Sequence, residues 1–160
     1  MKEKSREEFL ECIKENTGII HKVTEIYADT REDREDLYQE ILYQSWKSYP
    51  SFRQESKFST WLYRISLNTA LVFRRKDTGL PHSQLIESVY NHPDHSYNYS
   101  QSVNELITAM KTLSKVDRMI ITLYLEGYTY QEIGNMAGIS KENTGVKIFR
   151  IKNQLSKILK

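Results

Sequence analysis

The chain has 160 residues, of which 39% are hydrophobic and 28% are charged, and its formal net charge is +2. This length suits one medium domain or two small helical ones. The single cysteine, Cys12, excludes an internal disulfide, and the four histidines are too scattered to match a zinc-site spacing. The charged N-terminus has no apolar signal core, and no apolar run of about 18 residues follows, so we expect a cytoplasmic protein that does not insert into a membrane.

Charge is segregated along the chain. Residues 25–40 contain seven acids and two bases, a net charge of −5, whereas residues 56–76 contain five bases and no acid, a net of +5. Residues 111–160 contain nine bases and four acids, again a net of +5. One acidic and two basic stretches indicate a protein partner together with two contacts to a polyanion. With only 6 glycines and 3 prolines, the sequence favours α-helix throughout.

Two helical segments are predicted before residue 50. The first covers residues 5–28, with an irregularity near Thr17 and Gly18, and the second covers residues 31–48. We expect Cys12 to pack as a small apolar residue, because no neighbouring sequence feature would lower its pKa. The apolar stripes of the two segments consist of Phe9, Ile13, Ile20, Val23 and Tyr27, and of Leu37, Tyr38, Ile41, Leu42 and Trp46.

The polar face of the second segment is acidic. It carries Asp33, Asp36, Gln39, Glu40 and Gln44. By composition alone this face is explained as a solvated surface, and a docking surface for a protein partner is the alternative.

A third helix is predicted from Lys57 to Lys76. Basic side chains beside aromatic ones suit contacts to a nucleic-acid backbone with stacking on unpaired bases, and Phe52, Trp61 and Tyr63 are the aromatic candidates. The alternative is that Trp61 is simply a core residue. The predicted apolar stripe consists of Phe58, Trp61, Leu62, Ile65, Thr69, Val72 and Phe73, and Lys57, Arg64, Asn68, Arg74 and Arg75 lie largely off it.

Residues 78–102 read as a flexible linker. No Lys or Arg occurs between Lys76 and Lys111, and Pro, Gly, Ser, Asn and His accumulate there. A short helix is predicted around Gln84 to Tyr90. The run from His92 to His95 is interpreted as polar linker rather than a metal site, and we expect neither a metal nor a cofactor.

The C-terminal part predicts a helix-turn-helix over residues 129–143. Thr129 and Glu132 have the spacing of a capping box, Gly138 can adopt positive φ at the turn, and Ser140 can cap the next helix. The second helix of such a motif enters the major groove of DNA. Its predicted core face holds Thr144, Ile148, Ile151, Leu155 and Ile158, and its other face holds Lys141, Asn143, Lys147, Phe149, Arg150 and Lys152.

Two stretches resemble the bacterial sigma-70 superfamily in its compact, extracytoplasmic-function (ECF) form. Residues 36–41 (DLYQEI), Trp46 and residues 52–65 (FRQESKFSTWLYRI) resemble sigma region 2, and residues 113–155, above all 125–134 (LEGYTYQEIG), resemble region 4. The resemblance implies an all-α, non-enzymatic sigma factor with region 2 in residues 1–77, a linker in 78–102 and region 4 in 103–160. Its implied partners are core RNA polymerase and promoter DNA, with an anti-sigma factor as a frequent third.

The resemblance also implies roles for individual residues. Asp33, Asp36, Gln39 and Glu40 are expected to bind the clamp helices of the largest polymerase subunit. The residues expected to bind the −10 element are Arg53, Ser56, Lys57, Trp61, Arg64, Asn68, Arg74 and Arg75. The residues expected to bind the −35 element are Ser140, Lys141, Asn143, Lys147, Phe149, Arg150 and Lys152.

One position departs from the family pattern. Many relatives carry Arg or Lys where this chain has Gly145. A glycine inside a helix lowers the stability of that helix by about 1 kcal/mol. The glycine also removes a contact, for which Asn143 or Lys141 is expected to compensate.

Two other functions stay open at this point. The chain would be a stand-alone helix-turn-helix repressor or activator if its N-terminal half were a dimerisation module, or a degenerate sigma that sequesters a regulator. Residues 52–65 favour a working sigma factor, because a repressor has no use for that segment. No phosphate-binding glycine loop or nucleophile motif indicates an enzyme.

Overall fold

The computed structural model describes residues 2–73 and 99–159. Within these ranges the chain forms eight α-helices and one short 3-10 turn, and it contains no strand. The chain divides into two compact units, Met1–Tyr97 and Asn98–Lys160. The predicted all-α fold with two helical units is therefore confirmed.

The described part of the first unit, residues 2–73, contains four helices. They are α1 (Lys2–Glu15), α2 (Thr17–Tyr27), α3 (Arg31–Ser48) and α4 (Phe58–Val72), and the 3-10 turn Tyr49–Ser51 follows α3. The predicted irregularity is a break at Asn16, whose Nδ2 donates to the Cys12 carbonyl at 2.8 Å. A side chain that bonds to the preceding turn in this way competes with the helical hydrogen bonds.

The core of the first unit lies where α2, α3 and α4 pack against one another. Helix α1 adds Phe9 and Ile13, both fully buried. Burying a side chain of this size stabilises the fold by about 1.5–3 kcal/mol relative to exposing it. The predicted stripes of α1 to α3 are largely confirmed, with Ile20, Val23, Leu37, Tyr38, Ile41 and Leu42 also buried.

Helix α4 differs from its prediction in length and in its buried face. It ends at Val72, short of Lys76, because Phe73 adopts extended backbone at φ −66° and ψ 128°. Val72 was predicted to be core and is exposed, whereas Tyr63 was predicted to be exposed and is buried. Compared with the predicted stripe, the buried face of α4 is rotated so that it is centred on Ser66 and Ala70. Their small side chains allow a neighbouring helix to pack closely.

Residues 99–159, which make up the described part of the second unit, also contain four helices. They are α5 (Gln101–Met110), α6 (Lys115–Leu125), α7 (Tyr130–Ala137) and α8 (Lys141–Ile158), and α8 packs against each of the other three. The predicted core residues Thr144, Ile148, Ile151 and Leu155 of α8 are buried. The prediction for Ile158 is wrong, because this side chain at the end of α8 is exposed.

Helix α5 begins before the predicted end of the linker. Its first residue is Gln101, and the Ser100 hydroxyl caps it by accepting from the Val103 backbone N–H at 3.3 Å. The boundary at residue 102 was placed too late because the first turn is polar and the apolar pattern starts only at Val103. The predicted short helix at 84–90, the 92–95 run and the predicted site residues Arg74 and Arg75 lie outside the described residues.

The predicted helix-turn-helix is confirmed, and its predicted helix caps are formed. The Thr129 hydroxyl accepts from the Glu132 backbone N–H at 3.2 Å, and the Glu132 carboxylate accepts from the Thr129 N–H at 2.8 Å. Gly138 has a φ of 74°, which lies in the left-handed region that glycine enters without a steric penalty. The Ser140 hydroxyl accepts from the Asn143 N–H at 3.1 Å and so begins α8.

Two glycines of this motif occupy opposite environments. A Cβ at Gly134 would lie 2.7 Å from the Ile139 carbonyl oxygen and 3.0 Å from the Thr144 hydroxyl oxygen. A Cβ at Gly145 would meet only the Tyr130 ring, at an ordinary 3.5 Å. Gly134 therefore allows the close approach between α7 and the start of α8, whereas Gly145 has space for a side chain.

We predict opposite effects of alanine at these two positions. Gly145→Ala should raise the free energy of unfolding by about 1 kcal/mol, because alanine is the better helix former and meets no clash. Gly134→Ala should lower it, because the backbone at Ile139 has to move. Urea denaturation followed by circular dichroism measures both changes, and equal effects of the two substitutions would contradict this account of the turn.

Candidate functional site

The acidic face of α3 is the first candidate surface, and we define it as Asp33, Asp36, Gln39 and Glu40. The Thr30 hydroxyl caps α3 by accepting from the Asp33 backbone N–H at 3.0 Å. The four residues share one side of the helix, opposite the side that buries Tyr38, Ile41 and Leu42, and each is half-buried. The structure therefore brings the four predicted residues onto a single surface.

The two bases of the acidic stretch engage other acids. The Arg34 Nε lies 3.6 Å from the Glu25 carboxylate on α2, and the Arg31 Nε lies 3.2 Å from the Glu35 carboxylate. Both pairs are at or near the surface, where such pairs contribute little to stability. Their main consequence is that the positive charges of this stretch are directed to Glu25 and Glu35.

Glu40 has two differently placed carboxylate oxygens. Its Oε1 accepts a hydrogen bond from the Gln44 side chain at 2.8 Å. Its Oε2 is shielded from solvent and accepts no hydrogen bond within the described residues. A shielded carboxylate oxygen without a donor is unfavourable, so a partner that supplied a donor here would gain binding free energy.

Tyr43 also belongs to this surface and was missed by the sequence reasoning. It is 40% exposed and follows Gln39 and Glu40 by about one helical turn. The pattern gave no signal for it, because it neighbours the apolar residues Ile41 and Leu42 in sequence. Tyrosine is enriched at protein interfaces relative to the rest of the surface.

The second candidate surface is the loop that precedes α4. Residues 53–57 are all exposed, and the loop's two ends are fixed by Phe52 and Phe58, whose ring centroids lie 5.8 Å apart. Gln54 has a φ of 58°, a left-handed conformation that is uncommon for a residue with a side chain. The predicted site residues Arg53, Ser56 and Lys57 therefore project from a short loop with a fixed base.

Trp61 forms part of that base. Its ring centroid lies 5.0 Å from that of Phe52, 5.3 Å from Phe58 and 6.2 Å from Tyr49. Tyr49 in turn lies 5.1 Å from Phe9 on α1. Trp61 is half-buried in this aromatic cluster, so it is a packing residue with part of its surface still accessible. Its role in stacking on DNA stays a prediction.

Arg64 and Asn68 lie together on the outer face of α4. They are one helical turn apart, both are exposed, and the buried residues Leu67 and Ala70 lie on another side. An arginine and an amide on one exposed face can hold a phosphate and a base edge, respectively. Tyr63 is excluded as a stacking platform because it is buried.

The third candidate surface is α8, the second helix of the helix-turn-helix. Two of its predicted DNA-binding lysines contact α6 instead of standing free. The Lys147 Nζ lies 3.5 Å from the Asp117 carboxylate. The Lys152 Nζ donates to the Tyr124 hydroxyl at 3.3 Å and lies 5.2 Å from the centre of its ring.

The exposed side of α8 carries a different set of residues. Asn143, Val146 and Arg150 follow one another at helical spacing, opposite the buried Thr144, Ile148, Ile151 and Leu155. Val146 is 50% exposed, and its neighbour Phe149 is 68% exposed. Val146 was missed because a valine in an amphipathic helix is normally assigned to the core. The predicted Ser140 and Lys141 are exposed at the start of the helix.

Cys12 gives no sign of a reactive site. Burial, followed by the nearby carboxylates of Glu15, Glu11 and Glu8, raises the pKa of its thiol. A raised pKa reduces the thiolate fraction at neutral pH and so the nucleophilicity of the sulfur. Burial likewise raises the pKa of Tyr49, with Cys12 and Glu8 as further causes.

Residues 2–73 and 99–159 contain neither a cluster of metal ligands nor a membrane-spanning helix. No three or more His, Cys, Asp or Glu side chains come together there in a way that could hold a metal ion. In the same ranges no helix is both long and apolar enough to cross a membrane.

Two family models match the chain. The model of Sigma-70 region 2 matches residues 12–79, and that of Sigma-70, region 4 matches residues 104–155. The first match contains the acidic face, the loop and α4, and the second contains the helix-turn-helix. Together the matches include most of the chain.

Curated relatives and solved structures agree with these matches. The chain is 22% identical over 140 residues to "ECF RNA polymerase sigma factor SigM" of Mycobacterium tuberculosis, covering 88% of this chain and 71% of the relative. It is 29% identical over 140 residues to "ECF RNA polymerase sigma-E factor" of Haemophilus influenzae, covering 79% and 74%.

Two solved structures share the fold. The sigma factor RpoE of Bartonella quintana, solved in complex with the anti-sigma factor NepR, superposes with a TM-score of 0.63 at 17% identity over 92% of this chain and 93% of that one. CnrH, solved in complex with the cytosolic domain of CnrY, gives a TM-score of 0.60 at 17% identity over 94% and 86%. With both sigma regions matched in order and ECF sigma factors as its relatives, the chain belongs to the sigma-70 family and is an ECF-type RNA polymerase sigma factor.

Proposed function

We propose that the acidic face of α3 binds core RNA polymerase while α4, the loop before it and α8 bind promoter DNA. The observation that carries this proposal is the separation of charge within the first unit. Acidic residues share one side of α3, whereas Arg64, Asn68 and the loop residues Arg53 and Lys57 are exposed elsewhere. A surface that would repel DNA suits a protein partner, and the basic surface suits the DNA backbone.

At the −10 element, loop 53–57 captures an unpaired base and α4 holds the opened strand. Unstacking a base costs a few kcal/mol, which contacts in a pocket recover. The aromatic cluster supports this role because it fixes both ends of the loop. Asn68 reads a base edge, and Trp61 supports the fork. Arg64, Arg74 and Arg75 bind phosphates.

At the −35 element, α8 enters the major groove. Ser140, Lys141 and Asn143 begin the helix, and Phe149 and Arg150 lie on its exposed side. Lys147 and Lys152 border that side and are already engaged by Asp117 and Tyr124, so we assign them to phosphates at the groove edges. The absence of a side chain at Gly145 leaves Asn143 and Lys141 as the compensating contacts.

The wider assignment follows from these surfaces. The proposed three-part organisation has region 2 in residues 1–77, a linker that ends before α5 begins at Gln101, and region 4 from there to residue 160. The protein acts in the cytoplasm as a non-enzymatic subunit, since the polymerase supplies the catalysis. An anti-sigma factor that covers the acidic and basic surfaces is the proposed regulatory partner, as the complexes formed by RpoE and CnrH suggest.

Run-off transcription tests the proposal directly. Mapping transcript 5′ ends after overexpression identifies the promoters, and templates that carry them are then transcribed by core polymerase with and without the purified chain. We expect initiation only when the chain is present. Binding of the chain to these templates without polymerase, combined with no new initiation, would instead support a stand-alone repressor or activator.

We predict that Glu40→Lys weakens binding to core polymerase by about tenfold or more, because it reverses a partly desolvated charge in the acidic face. Fluorescence anisotropy of a labelled chain titrated with core polymerase measures this change. Glu11→Lys on α1 makes the same charge change at an exposed position outside the acidic face and should bind like the wild type. Equal losses in both variants would show that overall charge matters rather than this surface.

We predict that Arg64→Ala combined with Asn68→Ala impairs promoter opening but leaves polymerase binding unchanged. Both side chains are exposed on α4, so their removal should not affect the core. Permanganate footprinting of unpaired thymines reports opening, and the anisotropy titration reports assembly. Normal opening by the double variant would remove α4 from the −10 assignment and favour a sigma-like protein that only sequesters a regulator.

A further inference from the structure

We propose that Val146 is a specificity residue, which packs against the 5-methyl group of a thymine in the −35 element. This inference rests on the proposed entry of α8 into the major groove and names one base that the groove must offer. It adds a residue that belongs to none of the predicted contact sets.

The position of Val146 places it at the centre of the outward side of α8. The buried residues Thr144, Ile148, Ile151 and Leu155 define the opposite side of the helix. Asn143, three residues before Val146, and Arg150, four residues after it, lie on the same outward stripe. In a helix-turn-helix, the base-reading side chains come from this outward side, mainly toward the N-terminal part of the helix.

The basic side chains that were expected to read bases are held at the flanks. Lys147 pairs with Asp117 at 3.5 Å, and Lys152 donates to Tyr124 at 3.3 Å. Lys147 and Lys152 come from opposite flanks of the outward stripe, so both leave its centre uncovered. Gly145 has no side chain, and the space beside its Cα faces the Tyr130 ring rather than the outward stripe.

The exposed apolar surface at this place suits an apolar contact. Val146 is 50% exposed and Phe149 is 68% exposed, so two adjoining side chains present apolar surface on a helix in a unit rich in basic residues. The thymine methyl is the one apolar group that base pairs present in the major groove, and it is contacted by apolar side chains. Phe149, next to Val146, can exclude water from that contact.

The neighbours of Val146 define the surrounding chemistry. Asn143 lies about 4.5 Å before it along the helix axis, and Arg150 lies about 6 Å after it. Such spacings reach neighbouring base pairs. An asparagine amide pairs with adenine, and an arginine pairs with guanine. The thymine read by Val146 should therefore adjoin an adenine and a guanine that Asn143 and Arg150 recognise.

Replacing thymine by uracil tests the inference, because it removes only the methyl group. Holoenzyme made from core polymerase and the full chain first selects its −35 sequences from a duplex library randomised upstream of a fixed −10 element. Each selected thymine is then replaced singly by deoxyuridine. We expect binding by the wild type to fall about fourfold at one position, the effect of exposing about one methyl group.

The variants assign that loss to a residue. Val146→Ala should bind the thymine and uracil duplexes equally, whereas Val103→Ala, the same change at a 38% exposed valine on α5, should keep the fourfold difference. Thermal unfolding followed by circular dichroism checks that both variants fold.

Two results overturn the inference. One is wild-type binding that is indifferent to uracil at every position. The other is a methyl preference that survives Val146→Ala, in particular one that disappears in Phe149→Ala. Selection of no upstream element at all would overturn the −35 assignment of α8 as well, so the two failures are distinguishable.

Discussion

The aromatic cluster of the first unit holds together the parts that the proposed function requires. Phe9 from α1, Tyr49 from the 3-10 turn, and Phe52, Phe58 and Trp61 around the loop lie at ring-centroid distances of 5.0 to 6.4 Å from their neighbours in the cluster. Each such pair contributes about 0.5–1.5 kcal/mol beyond the area it buries. Because ordering one loop residue costs about 1–2 kcal/mol, five exposed residues need fixed ends to hold one conformation.

The cluster also connects the two proposed functions of the first unit, polymerase binding and DNA binding. The turn that begins at Tyr49 follows directly on α3, which carries the acidic face, and the same rings support the loop that leads into α4. The proposed polymerase-binding surface and the proposed DNA-binding loop are thus built on one set of contacts. Strain imposed on α3 by the proposed partner would be transmitted to the base of the loop, since close-packed interiors have low compressibility.

In the second unit the corresponding constraint is steric. Gly134 brings α7 close to the Ile139 carbonyl, and the left-handed backbone of Gly138 turns the chain between the helices. With these two glycines fixed, Ile148 and Ile151 turn inward and the opposite side of α8 faces outward. The lysines at its flanks bond to α6, so the outward side is less basic than the sequence composition indicates. Direct readout by amide, apolar and arginine side chains suits such a surface better than phosphate contacts alone.

Much of the fold was determined by the sequence itself. Local signals are enough for helix caps, because a Thr129–Glu132 box or a Ser140 cap forms between residues three apart in the chain. Helical spacing of apolar residues likewise identified the buried sides of α2, α3 and α8. The family also followed from sequence, because its motifs are long, dense and in a fixed order.

Only the tertiary structure decided which side chains are available to partners. The buried face of α4 depends on how closely Ser66 and Ala70 let its neighbours approach, so the assignments of Tyr63 and Val72 were wrong. Lys147 and Lys152 looked free in sequence, yet their partners Asp117 and Tyr124 lie some thirty residues earlier on α6. Tyr43 and Val146 became candidates only when their exposure was known. Exposure is a property of the packed molecule, because it depends on residues that are distant in the chain.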